Sequence, residues 1–213
     1  MKLKYKKLVI IISAATLLLG FFILTLIPSG SGSKASDATL EVSDDPDINN
    51  LILSYFTAKR TVDVDAFETI VSDSSQINRA KLTAMAAYVE DYRNIECYVI
   101  ADEDNSSFRV YVKYDLKKNI DTLAPSLSAF YITKTSDDQY IIYLSALDEV
   151  QEDFINSADE NEAVKTLTDE VQQALNDAIN SDSVFKQLYQ RMDLEIKNAS
   201  GSAVAISGVA VGT

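Results

Sequence analysis

The chain has 213 residues, with 32 acidic against 19 basic, no His, one Cys and six Gly. Without His there is no Ser-His-Asp or Cys-His nucleophile system, no His metal ligand and no His pH switch. One Cys makes neither an intrachain disulfide nor a thiolate zinc cage, and the lack of Gly from Ser33 to Ser200 excludes glycine-rich phosphate loops and dinucleotide fingerprints from the body.

Residues 1–7, MKLKYKK, are a basic segment, and Leu8–Ile27 are twenty residues without a charge. At about 1.5 Å per residue that run spans roughly 30 Å, the thickness of a bilayer's hydrocarbon core. Lys2, Lys4, Lys6 and Lys7 precede it, and the next charge is Lys34. Positive flanks stay inside, so the reading is a single-pass signal-anchor over 8–27 with a cytoplasmic N-terminus and an extracellular body at the cell membrane. A cleaved signal peptide is the rival. It needs a shorter apolar region and a close small-residue site, and Ser33-Lys34-Ala35 is only a loose match. A lipoprotein anchor needs a Cys just after the apolar run, and the Cys is at 97.

All 32 acids and 15 of the 19 bases lie beyond the span, which leaves that part at −17. Such a body repels phosphate backbones, which argues against nucleic acid as a partner. A nearly Cys-free outer domain suits a bacterial envelope.

Residues 28–45, PSGSGSKASDATLEVSDD, read as a flexible linker. Residues 46–147 read as an α+β domain. Asp45 caps a first helix with Pro46 at its first position, and Ile48, Leu51, Ile52, Tyr55 and Phe56 recur at helical spacing as far as Lys59-Arg60. A second helix starts near Asp63 with Val64, Phe67, Ile70 and Val71. A third follows Ser74-Ser75 with Ile77, Ala84, Met85, Tyr88, Val89 and Tyr92.

The period then becomes two. Glu96–Ala101 and Phe108–Leu116 form one hairpin around DEDNSS, with Phe108, Val110, Val112, Tyr114 and Leu116 on one face. Leu127–Thr135 and Tyr140–Leu147 form a second around SDDQ, with Pro125 confined to a position before the strand or on an edge. The expectation is four antiparallel strands, with Val110, Val112, Ile132, Ile142, Phe56, Met85 and Val89 buried.

Residues 148–192 read as a helical extension. Val150 and Phe154 mark a short helix. A long one runs over 159–180 with Val164, Leu167, Val171, Leu175, Ala178 and Ile179. Asp182 or Ser181 caps a last one carrying Val184, Phe185, Leu188 and Met192. Residues 193–213 are a Gly/Ala/Val/Ser tail.

Helices followed by two hairpins is the order of a sheet wrapped on helices, and it resembles the NTF2-like (cystatin-like cone) fold. The stretch 119–142, with Ile120, Asp121, Thr122, Pro125 and Leu127 leading into the second hairpin, resembles a segment of membrane-anchored extracytoplasmic proteins of clostridial (Firmicutes) type whose function is unassigned. The likeness covers about residues 46–192. It implies three helices, a four-stranded sheet and C-terminal helices. Relatives often continue into an SH3-type module, which this sequence lacks after its last helix. At the level of fold alone, the outer domains of conjugation-machinery proteins are also similar.

No residue stands out as catalytic, cofactor-binding or metal-ligating. Asp102–Ser106 begins like a calcium loop but has Ser107 where Gly is required and Lys113 where a bidentate Glu is required. It reads as a solvated turn, as does Asp137-Asp138. Cys97 reads as a buried inert thiol. Tyr98, Tyr111 and Tyr143 line a sheet face that either packs under helices or borders an apolar pocket. Val164, Leu167, Val171, Ala174 and Ala178 approach heptad spacing over too few repeats for a coiled coil. Asn105 and Asn198 begin chance sequons. The functional expectation is a non-enzymatic binding or scaffold module in a bacterial cell-envelope complex, with an envelope protein partner and no cofactor. The alternative is an NTF2-like cone that binds a small apolar ligand, or performs catalysis on one.

Overall fold

A computed structural model describes residues 34–118, 120–191 and 194. The basic segment 1–7, the expected span 8–27, linker residues 28–33, Met192 and nearly all of the tail lie outside the described residues. Among the described residues no helix is long and apolar enough to cross a membrane.

The body is α+β. Strands β1 (Glu41–Val42), β2 (Asp91–Ala101), β3 (Ser107–Lys118), β4 (Ile120–Lys134) and β5 (Tyr140–Ile142) form one antiparallel sheet in chain order. Helices α1 (Pro46–Thr61), α2 (Val64–Phe67) and α3 (Arg79–Ala86) lie between β1 and β2. Helices α4 (Glu149–Asp159) and α5 (Glu162–Ser181) follow β5, and a last helix, α6, covers 183–191.

The first helix follows its sequence signals. The Asp45 carboxylate accepts from the Asp47 and Ile48 amides at 2.8 and 3.3 Å, with Pro46 in the first turn where no amide is needed. The helix ends at Val62, which adopts the left-handed conformation at φ 56°. In a body without Gly, left-handed positions fall to Asn94, Asn105 and Asp138, whose short polar side chains tolerate them, and to β-branched Val62, where the conformation is strained.

Helices α2 and α3 are shorter than the sequence reading: α2 ends at Phe67, with Val71 bridging Ile142 beyond it, and α3 ends at Ala86, before Tyr88 and Val89. Four strands differ as well. The sheet gains a fifth strand, because Glu41 and Val42, inside the expected linker, pair with Val99 and Tyr98. Strand β2 starts at Asp91, so Tyr92 belongs to it and not to the third helix. A bulge between Arg93 and Glu96, with Asn94 at φ 50°, reverses parity, so Tyr92 (opposite Leu116) and Cys97 (opposite Val112) face the same side. A simple period-two scan misses that extension.

Strand β4 is fifteen residues long and includes Pro125 opposite Asp115. Strand β5 pairs only with Ile132 to Lys134, so the β4 edge at Pro125 has no strand to receive an amide, and Pro is tolerated there. Finally, β5 stops at Ile142 instead of continuing to Leu147. The Ser72 hydroxyl takes the Leu144 and Ser145 amides at 2.8 and 3.1 Å, and the backbone at Ile70 and Ser72 bonds both sides of Ile142.

Both sheet faces are covered. On the first, Ile52, Tyr55, Phe56, Phe67 and Met85 of the helices pack on Val110, Val112, Tyr114, Phe130, Ile132 and Ile142. All seven residues expected in the core are buried there, the most exposed being Val89 at 5 %. Each such side chain contributes about 1.5–3 kcal/mol by leaving water. On the second face, Ile100, Tyr111 and Leu127 meet Ala35, Ala158, Val164, Leu167 and Val171. Helix α5 lies along β4, and its Leu175 joins Phe185 in the first core. Its inner stripe packs on its own domain, while Ala174 is exposed. Val150, read as an apolar marker of α4, is also exposed, and Phe154 takes the contact with Tyr131.

Candidate functional site

The most unusual chemistry lies in two lysines, each enclosed by aromatic rings. Lys59 follows Tyr55 by one helical turn on α1 and is 1 % exposed. Its Nζ lies 5.4, 5.5 and 5.9 Å from the ring centres of Tyr92, Phe56 and Tyr55. Lys118 ends β3 and is fully buried, with Nζ 5.3 Å from the Phe185 ring centre and 4.9 Å from that of Tyr189. That Nζ has no hydrogen-bond acceptor among the described residues.

Aromatic faces partly compensate an ammonium through the ring quadrupole. They do not replace water. Burial pushes the Lys59 amine down to about 7 and the Lys118 amine down to about 8. Tyr114 stands beside the rings around Lys59, with ring centres 4.7 Å from Phe56 and 5.7 Å from Tyr92. Its hydroxyl meets Ser128 Oγ at 3.1 Å, and burial pushes its phenol up to about 12.

An amine that is partly neutral near pH 7 can act as a nucleophile, and a buried ammonium can hold an anion. Both amines are enclosed here, however. Phe56, Tyr92, Tyr114 and Phe130 fill the space between α1 and the sheet, at centre distances of 4.7–6.4 Å. At Lys118 the rings are Phe185 and Tyr189 of α6.

A second polar cluster lies under α4. Arg109 donates from Nε to Asp159 Oδ1 at 2.9 Å and from Nη2 to Oδ2 at 3.0 Å, and the Tyr111 hydroxyl donates to Oδ1 at 2.6 Å. Three hydrogen bonds converge on the one carboxylate, so the cluster ties a helix to a sheet.

The residues singled out in the sequence scatter. The Asp102 and Asp104 carboxylates both accept from the Ser106 amide at 3.0 Å, which makes the calcium-like stretch a self-satisfied hairpin turn. Asp138 sits at a turn with φ 60° and pairs with Lys134 at 3.3 Å. Cys97 is buried, and burial pushes its thiol up to about 11, where it is a poor nucleophile. Tyr111 is covered under α4 and α5, while Tyr98 and Tyr143 are half-buried, so this face packs under helices. Asn105 is an exposed turn residue, and Asn198 lies outside the described residues. Among the described residues no three His, Cys, Asp or Glu side chains gather as a metal would require.

Reasoning from sequence missed both lysines, although the signal was present. Lys59 falls on the stripe of Ile48, Ile52 and Tyr55, and Lys118 continues the alternation Val112, Tyr114, Leu116. No family model, curated protein or solved structure matches the chain.

Proposed function

We propose that this is a single-pass membrane protein, anchored by Leu8–Ile27 with its N-terminus cytoplasmic, whose extracytoplasmic body is a non-catalytic binding or scaffold module of a bacterial envelope complex. The body is read as an NTF2-like cone with added C-terminal helices. The observation that carries the module reading is the filled interior: Tyr55, Phe56, Tyr92, Tyr114 and Phe130 occupy the place where such a cone would hold a ligand. With that space taken, recognition falls to the outer surface. The partner is an envelope protein, and the acidic surface keeps nucleic acid away. Because both sheet faces are covered by helices, the contact surface is helical or lies at a strand edge. It is not an open sheet face.

The test is crosslinking in the native cell, followed by identification of captured proteins. Repeated capture of the same envelope protein supports the module. A small-ligand cone is the second reading, favoured by one observation, the buried Lys118 amine without an acceptor among the described residues. Recovery of no protein partner, together with an acidic or carbonyl-bearing small molecule that co-purifies and is lost in Lys118→Met, would replace the first reading with the second.

A further inference from the structure

The segment read as a free linker is stitched to the body over most of its length. Ala35 is buried against the second face, beside Tyr111 and Val164. Asn161, itself 4 % exposed, accepts the Ala163 amide at 2.9 Å to cap α5 and donates from Nδ2 to the Ala38 carbonyl at 2.7 Å. Glu41 and Val42 pair with Val99 and Tyr98, and the Ser43 amide donates to the Cys97 carbonyl at 2.8 Å. Asn49 Nδ2 then donates to the Ser43 carbonyl at 3.1 Å, and Asp45 caps α1. A solvated tether leaves such backbone groups to water; here they are taken up one after another.

We propose that residues 34–45 are a strap that holds the body beside the bilayer in one orientation, with the side bearing Lys34–Leu40 and the α4–α5 junction turned toward the lipid. This rests on the anchor reading of Leu8–Ile27. Ile27 and Lys34 are seven residues apart, so the body's attachment point lies within ~25 Å of the span's outer end at ~3.6 Å per residue. A linker free as far as Pro46 would reach ~70 Å by the same bound. The strap thus converts a domain that searches widely into one that meets partners in the layer next to the membrane. The helices on that side expose Glu149, Asp153 and Glu162, which oppose close contact with anionic headgroups, so the body stands at the surface without sinking into it.

The experiment uses the full-length chain in phospholipid vesicles, with Cys97→Ser removing the native thiol. A donor dye is placed at Ala163→Cys, beside the strap, or at Ala80→Cys on α3, in the opposite layer, and acceptor lipids lie in the outer leaflet. The expected result is stronger energy transfer from the Ala163 site than from the Ala80 site. That difference should be lost in Asn161→Leu, which removes the donor to the Ala38 carbonyl, and in Ser43→Pro, which removes the amide that bonds Cys97 together with the Ser43 hydroxyl. Equal transfer from both sites in the otherwise unaltered chain that still floats with vesicles overturns the strap. A chain that fails to float overturns the anchor instead.

Discussion

Arg109 of β3 grips Asp159, the last residue of α4, with two parallel hydrogen bonds of 2.9 and 3.0 Å. The pair is almost out of water, with the side chains 10 % and 13 % exposed. It also sets a cation against a carboxylate at a helix C-terminus, where that carboxylate is otherwise unfavourable.

Removing one partner leaves the other charge buried and alone. Arg109→Met is expected to cost about 3–5 kcal/mol in reversible urea unfolding of the detergent-solubilised chain. The double variant Arg109→Met, Asp159→Asn, whose amide oxygen still accepts from Tyr111, should recover much of that loss. A double variant as unstable as the single one would mean that the pair's worth lies in its attraction and not in satisfying buried charge.

The enclosed lysines predict a pH profile. Both amines have folded values below the ordinary 10.5, about 7 for Lys59 and about 8 for Lys118. Below those values both chain states carry the charge, and the burial penalty is present in full. As pH rises from about 7 toward 10.5, the folded chain sheds protons that the unfolded chain keeps, so stability rises. Tyr114 and Tyr140, pushed up to about 12, act in the opposite direction above the ordinary value of 10, because the unfolded chain ionises first. Stability should therefore climb through weak alkali and fall beyond pH 10. Lys118→Met should flatten the climb between about 8 and 10 and raise neutral-pH stability by on the order of 2 kcal/mol. A variant with an unchanged slope would remove Lys118 from the explanation.

Phe56 touches Tyr55, Tyr92, Tyr114 and Phe130 and stands over Lys59. Phe56→Ala is expected to lose about 3–5 kcal/mol, since the ring's neighbours cannot all close the gap. Calorimetry measures that loss. A cost below 1 kcal/mol would mean that the interior collapses freely and is not a tightly packed aromatic cluster.

Topology is tested on intact protoplasts. Protease added outside should digest the body and leave a short membrane-bound stub. A protected body would reverse the orientation. A soluble fragment beginning near Ser36 would show cleavage in place of anchoring.

Much of the scaffold was legible in particular residues. Asp45-Pro46 announced α1, and the alternation of Phe108 to Leu116 announced β3, because capping and pleating act over a few neighbours and leave a local trace. The bulge at Asn94 hides the first half of β2 from a period-two pattern, and β5 is shorter than its apolar run because the hydroxyl that ends it, on Ser72, sits more than seventy residues upstream of Leu144. The lysines were masked by their own charge. A long stem on an apolar stripe reads as a helix end or a strand rim until the rings around its amine are known.

The sequence by itself determined the apolar run at Leu8–Ile27, the acidic, His-free character of the residues beyond it, and the order of the helices and of strands β2 to β5, since each depends on composition or on short-range periodicity. Only the tertiary structure decided that Ala35 to Ser43 bonds to the body, that Arg109 finds Asp159 fifty residues away, and that Lys59 and Lys118 are each enclosed by aromatic rings. The physical reason is range. A cap or an alternating strand is satisfied by its neighbours in the chain, whereas a buried amide or ammonium is satisfied by whatever the fold brings to it.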